Sequence, residues 1–411
     1  MYISKLEVDG FRSLSNVKID DMKPVTLLFG NNGAGKSSIL ALLEAIFCPK
    51  EQRAELPGEP TTQMPFYLGI ITNFTNNYRD NKPGIITFSI TISMTRSELN
   101  SRWPEYIKHG IKVIKDELPE DRVRININGE FHPLDDAPHN VAMVLGKVDI
   151  NGYIIFDETK RPEMWLPDEP ATVSLAIREG LGESLLAIFT GCFSNIGIAR
   201  FLHKESVISP NEQSDSSEVK NNLMEFKTRL SNAKQSINQD EQEKYRRIRD
   251  IFSQLSKWGE IDFARREGED NDLEVMSWDE NNLWLPISLR GAGAEQLLVI
   301  ISEVILRKAT IIGIEELESN LDETSQGQLL ELLRSIIEAA EYPTGQIIVT
   351  AHSCFYGYHL PPHEKKYVIR KQAGNTDVEP WTSTAFNSLF KSHLDAGALQ
   401  QTRQTRTRNP K

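Results

Sequence analysis

The chain has 411 residues but only three cysteines, and Cys48, Cys192 and Cys354 lie far apart. No C-x-x-C or histidine-linked pattern surrounds them, which argues against a disulfide framework and against a cysteine zinc site. Long apolar runs are also missing, because none approaches the roughly 18 residues of a membrane span. The N-terminus lacks the apolar segment of a signal peptide. We therefore expect a cytoplasmic protein that has no membrane partner.

An excess of positive charge is absent as well. The formal net charge is −12, which argues against a surface that is basic throughout, although a local positive groove is compatible with it. The obvious basic cluster is the segment 401–411. A disordered, solubilising end is the simpler interpretation of this segment, and a contact with a polyanion or a partner protein is the alternative.

One motif is present in full, between an apolar run at 25–29 and an apolar helical segment at 39–47. It matches the phosphate-binding pattern G-x-x-x-x-G-K-[ST] in the strand–loop–helix context that this pattern requires. Its glycines let backbone N–H groups surround phosphate oxygens, and the helix start adds further donors. The residues expected to bind a nucleoside triphosphate are Gly30, Asn31, Asn32, Gly33, Ala34, Gly35, Lys36, Ser37 and Ser38.

Two positions in this loop have specific expected roles. Lys36 is expected to reach the β- and γ-phosphates as a point charge, and Ser37 to hold Mg²⁺. A glycine turn followed by a solvated lysine is the alternative, but the flanking strand and helix argue against it.

A second apolar strand, at 309–314, ends in two carboxylates, Glu315 and Glu316. A buried parallel strand delivers such groups to the carboxyl edge of its sheet, where ligands bind in open α/β folds. We expect Glu315 to join the Mg²⁺ shell, directly or through water. Glu316 is expected to position or deprotonate the attacking water. In isolation this segment is more typical of a strand that ends in solvated acids, and the phosphate loop makes the site interpretation the favoured one.

Three further segments follow a recognisable order along the chain. A glycine turn at 288–296 leads into an apolar helix, an aspartate turn ending at Asp322 follows the acidic pair, and a strand at 346–351 ends at His352. The ATP-binding-cassette ATPases have their motifs in this same order: phosphate loop, glycine turn, acidic strand, aspartate turn, and a strand that ends at a histidine.

The segments 10–14, 30–38, 314–318 and 350–353 resemble the RecF-like and OLD (overcoming lysogenization defect) group of these ATPases, which is related to the structural-maintenance-of-chromosomes (SMC) proteins. The resemblance covers residues 1–50 and about 285–355. It implies that ATP and Mg²⁺ are bound and that two ATP molecules are sandwiched between two protomers, each site being completed by the partner's glycine turn.

The resemblance also implies roles for five further residues. Gly291 and Gly293 would approach the γ-phosphate across the interface, Asp322 would lie at the protomer boundary, and His352 would sense the γ-phosphate. Arg12 would lie near the phosphates on the loop side. A core or capping histidine is the alternative for His352, and a surface salt bridge is the alternative for Arg12.

The sequence departs from the family pattern at three positions. Ala292 stands where a serine hydroxyl is common, Leu317 replaces a usual proline and so loosens the turn, and Glu315 replaces an aspartate of the wider cassette class. The first departure leaves only backbone donors, which favours slow ATP hydrolysis. The glutamine loop of the family has no assigned position in this sequence.

The predicted fold is therefore α/β, a P-loop NTPase of the ABC ATPase type, with a mixed central sheet, an inserted antiparallel sheet and a helical lobe. Strands are expected at 84–94, 123–131 and 148–156, with Asn-Gly turns at 128–129 and 151–152. Further expectations are a helical stretch at 95–117 and a strand at 198–201. The predicted units are an N-terminal ATPase lobe at 1–200, a helical lobe at 201–275, a C-terminal ATPase lobe at 276–375 and an extension at 376–411.

Two amphipathic helices are expected in the helical lobe. The apolar spacing of the first runs from Leu223 to Ile237, and that of the second from Tyr245 to Leu255. A capping box of Asp240 and Glu243 is expected to open the second helix.

Our first functional hypothesis is an ATP-gated dimerising switch or scaffold that senses phage or DNA and controls an effector in anti-phage defence. Only 59 residues follow His352, which is too few for a nuclease domain of roughly 100 residues or more. We therefore expect any nuclease to be a separate polypeptide.

Two other hypotheses stay open. One is a RecF-like clamp that binds DNA in repair, and the other is the ATPase subunit of a transporter, against which the long insertions argue. A GTPase is disfavoured because the segment 81–84, Asn-Lys-Pro-Gly, lacks the aspartate of N-K-x-D.

Overall fold

The computed structural model describes residues 1–47, 67–71, 84–95, 98, 122–134, 137–157, 217–255, 259–265, 273–278, 283–306, 311–318, 321–339, 345–352 and 364–385. Nearly all of the expected helical stretch at 95–117 lies outside these residues. The expected strand at 198–201 and the basic segment 401–411 lie outside them as well.

The first half of the described chain is mainly β-structure. Its elements are β1 (Tyr2–Asp9), β2 (Val17–Asp20), β3 (Val25–Gly30), α1 (Lys36–Phe47), β4 (Tyr67–Ile71), β5 (Ile86–Met94), β6 (Val123–Leu134), β7 (Ala137–Ile150) and β8 (Tyr153–Asp157). The second half alternates helices and strands. Its elements are α2 (Ser217–Gln235), α3 (Gln239–Leu255), β9 (Glu260–Arg265), β10 (Leu273–Trp278), β11 (Trp284–Pro286), a 3₁₀ helix (Ile287–Arg290), α4 (Ala292–Leu306), β12 (Ile311–Ile314), α5 (Glu323–Ala339), β13 (Gln346–Ala351), β14 (Lys365–Gln372) and β15 (Asn375–Pro380).

The central sheet has the strand order β12-β13-β3-β14-β15. The first four strands are parallel and β15 is antiparallel to β14, so the predicted mixed sheet is confirmed. Every residue of β3 and β13 is buried, as expected for parallel strands that are covered on both faces. The carboxyl ends of β12, β13 and β3 therefore meet at one edge of the sheet, which is where the site is built.

Alternate residues of the central strands enter two different cores. Leu28 and Ile348 pack with α1 and the antiparallel sheet, whereas Leu27, Phe29 and Ile347 pack with the helices of the opposite layer. This alternation follows from the two-residue period of a strand. The central sheet is thus the middle layer of three.

The inserted antiparallel sheet is confirmed. Its order is β2-β1-β5-β6-β7-β4, with β8 paired to β7, so the two N-terminal strands belong to it. The sequence did not predict β4 or residues 137–147, which form most of β7.

Only one of the two Asn-Gly pairs forms the predicted turn. Asn151 and Gly152 have positive φ and join β7 to β8. Asn128 and Gly129 lie inside β6, so the turn predicted there is wrong. They pair without interruption with β5, and the β6–β7 register shifts at this point, which indicates a bulge rather than a turn.

The two predicted helices of the helical lobe are confirmed, but the way in which the second begins is not. Asn238 accepts a hydrogen bond from the Asp240 backbone N–H at 2.9 Å, so Asn238 caps α3, and the capping box predicted at Asp240 and Glu243 is wrong. Ile237 lies in the turn between α2 and α3 and is 100% exposed, although the apolar spacing had placed it on the buried face.

The three boundaries between the four predicted units stay predictions. Residues 376–380 continue β15, and hence the central sheet, past the boundary predicted at 375. Among the described helices, none is long and apolar enough to cross a membrane.

Candidate nucleotide-binding site

The glycine loop lies between β3 and α1 and leaves no room for side chains at two of its glycines. A Cβ at Gly30 would lie 2.2 Å from the carbonyl oxygen of Ile369, and a Cβ at Gly35 would lie 2.1 Å from Oγ1 of Thr376. Gly33 and Gly35 also have positive φ, which glycine adopts most readily. Packing by β14 and β15 therefore determines the course of the loop.

Lys36 lies at the centre of this loop and is only 6% exposed. Its Nζ donates to the carbonyl oxygens of Gly30 at 2.6 Å and Asn31 at 3.0 Å. Burial lowers the pKa of Lys36, and the carboxylates of Glu318, Glu316 and Glu315 act in the opposite direction. The phosphate-loop lysine and the acidic strand end are thus electrostatic neighbours, as the sequence order had suggested.

The acidic pair lies in a turn that directly follows β12. Glu315 is buried, and Glu316 is half-buried with a φ of +48°. The Glu316 backbone N–H donates to Oγ1 of Thr350 at 3.1 Å, and its carbonyl oxygen accepts from Nε2 of Gln296 at 3.3 Å. A left-handed conformation at a residue other than glycine costs of order 1–3 kcal/mol. These two contacts hold the expected base in that conformation.

Leu317, the second departure from the family pattern, is fully buried in the core on the helical side of the central sheet. The turn after the acids is thereby anchored by an apolar side chain in the place of a proline ring.

His352 follows the last residue of β13, and its side chain is 43% exposed. Its backbone N–H donates to Oε1 of Glu318, and its Nδ1 lies 2.8 Å from the same oxygen. The structure thus links the expected sensor histidine to a carboxylate in the acidic turn.

The glycine turn before α4 presents an open helix N-terminus. Gly291 is exposed, has a φ of +105°, and has nothing within 4 Å of the position a Cβ would take. Gly293 is buried in the first turn of α4. Arg290 anchors the preceding 3₁₀ helix, because its guanidinium donates to Oγ of Ser277 and to the carbonyl oxygen of Leu283, both at 2.8 Å. A helix start, with backbone N–H donors that have no partner within the helix and a positive dipole, suits an anion.

Asp322 is exposed and caps α5. Its carboxylate accepts from the backbone N–H of Thr324 at 3.0 Å and of Ser325 at 3.1 Å, and from the Ser325 hydroxyl at 2.7 Å. The hydrogen bonds from Ser325 and Thr324 lower the pKa of Asp322. This local role is compatible with the predicted position at a protomer boundary, which stays a prediction.

Arg12 lies in a turn that packs against the glycine loop. Its guanidinium lies 5.4 Å from the ring centroid of Phe11. The neighbouring Ser13 hydroxyl is 2.7 Å from Oγ1 of Thr376, which donates to the carbonyl oxygen of Ala34 at 2.9 Å. The turn is therefore placed on the loop side, while the contact of Arg12 with phosphates stays a prediction.

The donor set predicted for Mg²⁺ consists of the Ser37 hydroxyl and the Glu315 carboxylate. Ser37 is exposed in the first turn of α1, and Glu315 lies at the end of β12. Within the described residues, no group of three or more His, Cys, Asp or Glu could hold a metal ion on its own. This arrangement fits Mg²⁺, which is commonly held by one or two protein oxygens together with substrate phosphates and water.

Sequence reasoning missed four residues that support the site: Gln296, Glu318, Thr350 and Thr376. Glu318 carried a signal, since it is the third carboxylate within four residues of the acidic turn. Gln296, Thr350 and Thr376 act through hydrogen bonds to residues 20 to 342 positions away in the chain, and a local sequence pattern cannot predict such contacts.

Comparison with known proteins gives one family match and one match to a curated protein. The family model described as "AAA ATPase domain" matches residues 1–138 and 183–355. The DNA replication and repair protein RecF of Natranaerobius thermophilus is 31% identical over 96 residues, which cover 20% of this chain. The match spans only 25% of the length of that RecF.

Solved structures that are similar to this chain include SMC head domains. The Smc head bound to the C-winged helix domain of ScpA has a TM-score of 0.48 at 17% identity, covering 94% of this chain and all of that chain. A Pyrococcus furiosus Smc head bound to the C-terminal domain of ScpA has a TM-score of 0.48 at 14% identity, covering 95% and 99%. The SMC head domain from Thermotoga maritima has a TM-score of 0.42 at 16% identity, covering 93% and 100%.

Proposed function

The chain belongs to the AAA ATPase domain family, and from this premise we propose that it is an ATPase whose nucleotide joins two copies of the chain and whose hydrolysis lets them separate. The observation that carries the proposal is that the buried Lys36 of the glycine loop and the acidic turn after β12 lie at the same carboxyl edge of the central sheet, where the charges of three carboxylates act on the lysine. A buried lysine in a glycine loop neutralises phosphates, and an adjacent carboxylate activates water.

The residues divide the chemistry between them. The loop N–H groups and Lys36 bind the β- and γ-phosphates. Ser37 and Glu315 would hold Mg²⁺, which would supply positive charge for the phosphate oxygens. Glu316 orients the water and accepts its proton as that water attacks the γ-phosphorus and the bond to the β-phosphate oxygen breaks. His352 contacts the γ-phosphate at the end of β13.

Dimerisation is supported by the glycine turn. Gly291 is exposed and open, and the anchored 3₁₀ helix holds the start of α4 in place. We propose that Gly291 and Gly293 complete the partner's site by donating backbone hydrogen bonds to its γ-phosphate, with Asp322 near the boundary. Ala292 offers no hydroxyl there, so turnover is expected to be slow.

Two substitutions test this mechanism. Lys36→Ala is expected to abolish ATP binding, because the charge at the phosphates is lost.

Glu316→Gln is expected to retain ATP and to trap the dimer, with kcat lowered about 100-fold or more, as for loss of a general base. Phosphate release, nucleotide affinity and light scattering with and without ATP measure these effects.

Glu364→Gln provides the control for Glu316→Gln, because it removes the charge of a different carboxylate, which is buried and pairs with Arg334. Wild-type turnover in the Glu316→Gln protein would refute the assignment of the base. An ATP-bound protein that stays monomeric at every concentration would refute the sandwich.

Downstream of the ATPase, we propose that the dimer gates DNA or a separate effector, such as a nuclease, in defence against phage. The resemblance of the four motif segments to RecF-like and OLD ATPases supports this role. Affinity purification from the native host, with the wild type and with Lys36→Ala, tests it. An effector or DNA should be retained with wild type plus ATP only, and identical material from both proteins would contradict the proposal.

A second candidate is a DNA clamp that works without an effector, favoured by the similarity to RecF over 96 residues. It predicts that the ATP-bound form binds duplex DNA with an affinity that falls steeply with salt, in proportion to the phosphates contacted. The net charge of −12 argues against this candidate. The absence of ATP-dependent duplex binding at low salt would eliminate it.

A further inference from the structure

Glu318 is a carboxylate to which the proposed mechanism gives no role. It lies in the same turn as Glu315 and Glu316, and its side chain is only 6% exposed. Burying a charge is costly unless the charge is paired and hydrogen-bonded. The groups that Glu318 contacts therefore indicate what it does.

Glu318 contacts His352 at two atoms. Its Oε1 accepts a hydrogen bond from the His352 backbone N–H, at the end of β13, and lies 2.8 Å from ring atom Nδ1. The contact holds the imidazole from its buried side, while 43% of the histidine side chain stays exposed. A carboxylate at Nδ1 favours a proton on that nitrogen and leaves Nε2 to meet a ligand.

The charge of Glu318 also acts on the phosphate-loop lysine, Lys36. Of the three carboxylates whose charges act on Lys36, Glu318 has the largest effect. The strand order explains this arrangement, because β13 lies between β12, which precedes Glu318, and β3, which precedes Lys36. One buried carboxylate thus contacts the expected sensor histidine and acts electrostatically on the lysine.

We propose that Glu318 is a positioning residue for ATP hydrolysis, whose carboxylate fixes the His352 ring with Nε2 available to the γ-phosphate. The inference rests on the proposed ATPase function and deepens it. It assigns Glu318 an effect on turnover rather than on nucleotide affinity, since Glu318 is itself anionic and repels phosphate.

Glu318→Gln tests the proposal, because it keeps the shape of the side chain and removes the charge. We expect kcat to fall at least about tenfold, in line with the loss of a carboxylate that orients a functional histidine, while KM for ATP does not rise. In a His352→Ala background the same substitution should change kcat by less than about twofold, since residues that act as a unit are not additive. Independent, additive effects would overturn the proposal.

Glu364→Gln is the matched control, and it should leave kcat unchanged, with thermal unfolding reporting any loss of stability.

If Glu318→Gln does not fold, His352→Ala tests the same contact from its exposed side and should also lower kcat about tenfold or more. Wild-type turnover in His352→Ala would overturn the proposal. A wild-type protein without turnover would overturn the ATPase function and this inference together, whereas an active wild type with an unimpaired Glu318→Gln overturns the inference alone.

Discussion

At Gly35, the absence of a side chain lets two distant parts of the chain meet. The site of its missing Cβ is 2.1 Å from Oγ1 of Thr376, and that hydroxyl donates to the carbonyl oxygen of Ala34. Ser13 reaches the same threonine from the N-terminal turn. The phosphate loop is therefore supported by residues from both ends of the described chain.

Gly35→Ala is expected to displace Thr376 and distort the loop. The overpacking should cost about 1–3 kcal/mol of folding stability, and ATP binding should weaken about tenfold or more, which corresponds to about 1.4 kcal/mol. Titration with a fluorescent ATP analogue measures the affinity, and chemical denaturation measures the stability. Gly374→Ala is the control, because Gly374 also has positive φ but open space around it. Equal ATP affinities for the two variants would contradict the steric argument.

At the scale of single elements, helix ends show how local contacts set boundaries. α5 begins after Asp322, whose carboxylate accepts three hydrogen bonds in the first turn. α3 begins after Asn238, two residues earlier than the pattern of Asp240 and Glu243 had predicted. Asn and Asp are both good N-cap residues, so residue type alone did not separate Asn238 from Asp240, and the path of the preceding turn made Asn238 the cap.

Asp322→Ala is expected to lower the free energy of unfolding by about 1 kcal/mol, the usual cost of losing an N-cap. Asp322→Asn keeps a capping oxygen and should be nearly neutral. Because the folded pKa of Asp322 lies below the unfolded value of 3.8, the charge-dependent part of this contribution is complete above pH 3.8. It is lost as the pH falls through the folded pKa. Urea denaturation at pH 7 measures the difference, and equal stability of the wild type and Asp322→Ala would contradict the capping role.

The Asn variant also separates the two roles of Asp322. Since its cap is intact, a loss of ATP-dependent dimerisation in Asp322→Asn would report on the protomer boundary alone.

At the scale of the whole molecule, Gln346 joins the two large sheets. It is completely buried at the start of β13. Its Oε1 accepts from the backbone N–H of Ile3 at 2.8 Å, and its Nε2 donates to the carbonyl oxygens of Ile3 at 2.9 Å and Lys23 at 3.2 Å. These contacts coincide with the register shift of β1 at residues 3–5. The Gln346 side chain thus satisfies backbone hydrogen-bonding groups of Ile3 and Lys23 where the first strand is irregular.

Gln346→Leu keeps the approximate volume but orphans these backbone groups. We expect a loss of about 2 kcal/mol or more in the free energy of unfolding, since each buried unpaired polar group costs about 1–3 kcal/mol. Guanidinium denaturation measures the effect. Gln372→Leu, the same change at an exposed site on β14, should stay within about 0.5 kcal/mol of the wild type. Similar losses in both variants would contradict the role of Gln346 in joining the sheets.

The overall architecture followed from the sequence to a large extent. The predicted P-loop ATPase fold and the RecF-like resemblance are confirmed by the family match and by the similarity to RecF. The roles of individual site residues, the dimer and the effector stay predictions. The structure adds the side-chain contacts that hold the glycine loop and the acidic turn in place.

What the sequence determined by itself is local: the glycine loop between strand and helix, the acidic end of β12, the histidine after β13, and the period of the two lobe helices. These features depend on neighbours within a few positions, so a linear pattern contains them. Only the tertiary structure decided that Asn128 and Gly129 continue a strand, because a partner strand pairs with them. It alone also brought Glu318 to His352 and Thr376 to Gly35, since such contacts depend on which strands lie side by side in the folded sheet.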